Sequence, residues 1–172
     1  MLGTRYALTG ETTLPLPDAV ARVREELKVE GFGVLTEIDV QATLKEKLDI
    51  DGEPYIILGA CNPALAHRAL EAEPDLGVLL PCNVIVYERN GVTHVSAVDA
   101  ERMLSIVEND DLQHVAEDVR ARLAAVVDRV VSHEPGPTHR SDAPSLPSGA
   151  RTRRPLRRRG VARHRRRPAP HR

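Results

Sequence analysis

Asn83-Val-Ile-Val-Tyr-Glu-Arg-Asn90-Gly91-Val-Thr-His-Val-Ser-Ala-Val98 is the stretch on which the fold turns. Two apolar, β-branched runs, 83–88 and 92–98, flank Asn90-Gly91. That dipeptide readily takes the positive φ of a two-residue hairpin turn, so the runs pair antiparallel. Upstream, Pro54-Tyr-Ile-Ile-Leu-Gly-Ala60 reads as a short strand buried on both faces. Asn62 then caps a helix whose first position is Pro63, where a missing N–H is harmless. Further back, Phe32 to Ile38 reads as a strand and Asp39 caps a helix carrying Val40, Thr43, Leu44 and Leu48 on one stripe. Asp18 is expected to cap a first helix running to about Glu30, with Gly31 as its stop, and residues 4–9 to form the first strand. Downstream, Asp99 caps a short helix to about Val107. Asp110 opens the last helix, with Gln113 in the reciprocal capping position. Its continuous stripe, from Leu112 to Val130, faces either the sheet or a second subunit. Strands and helices are intermixed, and no Gly-rich βα turn appears. The class is therefore α+β, with a mainly antiparallel or mixed sheet and helices packed on it.

Charge divides the chain in two. Residues 1–133 hold 12 Lys and Arg against 23 Asp and Glu, a net of −11. Residues 134–172 hold 12 Arg and no Lys against Glu134 and Asp142, a net of +10. The total of −1 hides this asymmetry. After His133 the chain is rich in Pro, Ser, Gly and Arg and nearly free of large apolar residues. It is expected to be disordered, because it buries too little to offset its ordering entropy. The organisation read here is a domain over 1–133 and a tail over 134–172. The domain repels phosphates, whereas Arg153, Arg154, Arg157, Arg158, Arg159, Arg165, Arg166 and Arg167 would hold a polyanion or nucleic acid without sequence preference. An extension read from an altered frame would have the same composition. Two cysteines are too few for a disulfide scaffold, the first residues have no signal-peptide core, and no apolar run approaches membrane-spanning length. The chain reads as cytoplasmic and not membrane-bound, with reduced thiols.

An ordered series of motifs carries a resemblance. Gly33-Val-Leu-Thr-Glu-Ile-Asp-Val40 is followed by Leu44-Lys-Glu-Lys-Leu48, Ile57-Leu-Gly-Ala-Cys-Asn-Pro63, Leu65-Ala-His67 and Leu79-Leu-Pro-Cys-Asn-Val84. Over about residues 4–131 the chain resembles the bacterial and archaeal domain-of-unknown-function 302 family. That resemblance implies a small α+β domain, a homodimer, and no established biochemical activity. The tail matches nothing in the family's pattern.

One constellation stands out: Cys61-Asn62 and Cys82-Asn83, both at strand boundaries. Cys61 precedes a helix N-terminus, where free N–H groups and the helix dipole favour a thiolate and lower its pKa. If the two strands are neighbours, both thiols line one pocket at a sheet end, with His67 one turn into the helix and Glu37 and Asp39 as candidate acids. Two thiols, an imidazole and carboxylates suit a soft metal or thiol chemistry. The bland alternative is that both cysteines are small core residues, since free Cys is among the most buried types. Asn62 is explained by capping alone, with a small anionic ligand at the helix N-terminus as the alternative. His67, His94 and His114 do not fall at metal spacing. Gly31-Phe-Gly33 precedes a strand instead of following one and lacks a third glycine, so it is no dinucleotide fingerprint. The leading reading is a non-enzymatic module binding a small ligand or soft metal near Cys61, Asn62 and Cys82, with no cofactor assigned. The alternatives are a thiol or redox enzyme using Cys61 with His67 or Glu37, and a structural dimer with no pocket.

Overall fold

The computed structural model describes residues 4–132 of the chain. Five strands form one fully antiparallel sheet in the order β1-β5-β4-β3-β2. They are β1 (Ala7–Thr12), β2 (Gly33–Asp39), β3 (Tyr55–Cys61), β4 (Cys82–Arg89) and β5 (Val92–Val98). The helices are α1 (Leu16–Val29), α2 (Val40–Leu48), α3 (Pro63–Ala72), α4 (Ala100–Leu104) and α5 (Gln113–Val131). The domain is thus α+β, as its sequence implies. The tail and its arginines lie outside the described residues.

The hairpin sets the register. Asn90 and Gly91 have φ of 53° and 76°, and Arg89 pairs with Val92. Counting back from that turn puts Val86 opposite Val95 and Val84 opposite Ala97, and β3 continues the rows with Ile56 and Leu58. Leu8, Leu58, Val84, Val86, Val95 and Ala97 therefore share one face, and all six are buried. The stripe of α5 covers that face: Leu123, Val126, Val127 and Val130 are fully buried. This settles the alternative left by the sequence in favour of the sheet. In the run Tyr55 to Ala60, Leu58, Gly59 and Ala60 are buried, so the strand is buried on both faces at that end, while Tyr55, Ile56 and Ile57 are partly buried and the second face carries no layer of core helices. An antiparallel sheet tolerates one uncovered face, and an aliphatic run does not announce which face that is.

Three boundaries differ from expectation. The first strand lies at 7–12, where it pairs with β5. Helix α1 starts at Leu16 after Pro15 and has no side-chain cap; Asp18 sits within its first turn, and Pro17 occupies an early position that needs no N–H. Before α5, Asn109 caps a 3-10 turn over 110–112 by accepting from the Asp111 N–H at 3.0 Å. Gln113 is already inside α5, where its amide donates to Glu117 at 2.9 Å.

One buried carboxylate braces α1 against α5. Glu26 is paired by Arg22 at 2.7 Å and by Arg129, and Arg129 also reaches Glu30 at 2.6 Å. A charge removed from water needs such partners to persist.

Candidate functional site

The strand boundary at Cys61 is built by three elements. Strand β3 ends there, Asn62 turns the chain, and α3 begins at Pro63. Asn62 Oδ1 accepts from the Leu65 N–H at 3.2 Å, and its Nδ2 donates to the Glu30 carbonyl at 3.5 Å. Arg122 on α5 donates to that same carbonyl at 3.3 Å. Both ends of the Asn62 amide are therefore used in joining α1, α3 and β3.

The strands carrying the two cysteines are neighbours, as the pocket reading required. The register, however, places Cys82 opposite Ala60 and Gly33 opposite Cys61. Directly opposed residues share a face and successive ones alternate. Cys82 thus falls on the helix-covered face, and Cys61 falls on the open one. Cys61 borders, from the strand end, the small apolar cavity that also meets Cys82, Phe32, Leu65, Leu76 and Leu104. The cavity encloses about 30 Å³.

The expectation of an acidified Cys61 is corrected. Burial pushes the Cys61 thiol up, not down. Burial is the cause, and the helix start offers little to oppose it: Pro63 has no N–H, the Leu65 N–H is taken by Asn62 Oδ1, and the Ala66 N–H bonds the Asn62 carbonyl at 2.9 Å. Burial, with a smaller contribution from Cys61, pushes Cys82 up to about 11.

The proposed proton carriers do not converge on the thiols. The His67 side chain is exposed on α3, with Nε2 3.8 Å from Glu71. Glu37 lies on the helix-covered side of β2 and pairs with Arg24 of α1. Asp39 caps α2 by accepting from the Ala42 N–H at 2.8 Å. Among the described residues, no group of three or more His, Cys, Asp and Glu side chains is gathered as a metal would need. No helix among them is long and apolar enough to cross a membrane.

Two features were missed by sequence reasoning. On the open face, the Tyr55, Tyr87 and His94 rings stack in one cross-strand row, with centroids 5.2 and 4.8 Å apart. Glu11 extends the row at 3.7 Å from His94 Nδ1. The Tyr87–His94 step was within reach of the sequence, because a two-residue turn at Asn90-Gly91 pairs them by counting. The ring faces are spent on each other, so the row is a sheet-stabilising ladder. The second feature is an open cleft of about 350 Å³ beside α4 and the start of α5, bordered by Glu101, Glu108, Asp110 and Glu117.

Comparison with known proteins agrees with this architecture. The model of the family described as "Domain of unknown function DUF302" matches residues 8–130. The chain belongs to that family. It is also similar to the crystal structure of an uncharacterized conserved DUF302 protein from Bacillus stearothermophilus, with 34% identity and a TM-score of 0.70. That match covers 74% of this chain and 99% of the other. No curated protein matches the sequence.

Proposed function

We propose that the domain is a non-catalytic binding module, acting by association and not by turnover. The observation that supports this most directly is the state of the two thiols. Burial raises both, and neither His67 nor Glu37 stands beside them. A thiol nucleophile at neutral pH needs a lowered pKa or a base within about 3 Å. The space at the strand end argues the same way. Sites for organic ligands run to roughly 300–1,000 Å³, against the 30 Å³ here. An occupant at Cys61, Asn62 and Cys82 would be a single water or a single soft ion. An organic ligand of such a module would have to bind away from this strand end.

The deciding experiment is alkylation of the native protein with iodoacetamide near neutral pH, followed by peptide mass mapping. Cys61 is expected to react more slowly than a free thiol. A faster rate at Cys61 would overturn the non-catalytic reading in favour of a thiol enzyme.

A second reading concerns the tail and rests on its sequence. Ten arginines between Arg151 and Arg167 give a cationic segment that binds polyanions through counterion release.

A further inference from the structure

We draw no further inference here: the strongest candidate, the open cleft beside α4 and the start of α5, is a cluster of the exposed carboxylates of Glu101, Glu108, Asp110 and Glu117, and among the described residues no buried, unpartnered polar side chain is aimed into it to say what it would hold.

Discussion

Gly59 on β3 and Thr36 on β2 face each other across the sheet at a point with no room for a second side chain. The Thr36 hydroxyl occupies the place a Gly59 Cβ would take, and Pro81 Cγ would stand 2.7 Å from that Cβ. The glycine is therefore a consequence of close approach and not of a positive φ. It lets Pro81 close over the end of the sheet immediately before Cys82.

Gly59→Ala is accordingly expected to destabilise the domain by about 1–3 kcal/mol, the usual range for overpacking. Thr36 can rotate away, but a ring atom of Pro81 cannot easily do so. Thr36→Gly should therefore restore only part of the loss. Urea unfolding of the two single variants and the double variant measures both effects. Full rescue by Thr36→Gly would show that Pro81 is not the obstacle.

The raised thiol of Cys82 makes stability depend on alkaline pH. Its pKa rises from an ordinary value of 9.0 to about 11 on folding. Below pH 9 the thiol is protonated in both states and contributes no pH dependence. Between about 9 and 11 the unfolded chain loses the proton while the folded one keeps it, so stability falls as pH rises. The full loss is about 2–3 kcal/mol. The Cys61 thiol, shifted in the same direction, adds to the fall. Cys82→Ala should flatten the stability profile over this window relative to the natural chain, whatever its effect at pH 8. Parallel profiles for the two proteins would show that Cys82 stays accessible to hydroxide in the folded state.

Much of this architecture was legible because short-range chemistry fixed it. Asn90-Gly91 dictated the hairpin, and Asp39 and Asn62 capped the helices they precede. The candidate site was legible only in part, because it depended on register and long-range contacts. Adjacency of the Cys61 and Cys82 strands was anticipated. Whether the thiols share a face turned on one residue of register, Ala60 opposite Cys82, and a one-residue slip would reverse it. Nothing local in the sequence links Glu37 to Arg24, thirteen residues earlier on another element. Which face of β3 takes the helices was hidden for a related reason: Tyr-Ile-Ile-Leu offers apolar side chains to both sides, and only the placement of the helices chooses between them.

The arginine segment is testable through its salt response. Deleting residues 134–172 should abolish retention on a polyanionic resin such as heparin. The full chain should be retained at low salt and released steeply as salt rises, because each neutralised phosphate or sulfate releases counterions. The deleted protein keeps the −11 of residues 1–133 and should flow through. Equal retention of both proteins would refute a polyanion role for the segment.

Asn62 makes two contacts of unequal quality, and substitution separates them. The cap to Leu65 N–H at 3.2 Å is an ordinary hydrogen bond, while the donation to the Glu30 carbonyl at 3.5 Å is at the limit. Arg122 also continues to serve that carbonyl if Asn62 withdraws. The cap should therefore dominate. Asn62→Ala loses both contacts and is expected to cost about 1–2 kcal/mol, the range for a removed N-cap. Asn62→Asp keeps the cap and adds a charge of the favourable sign at the helix start, worth about 0.3–1 kcal/mol. It gives up only the weak donation and sets a carboxylate oxygen near a carbonyl. Asn62→Asp should thus be clearly less destabilising than Asn62→Ala in chemical denaturation at pH 7. If Asp costs as much as Ala or more, the clasp on Glu30, and not the cap, is what Asn62 contributes to holding α1 and α3 together.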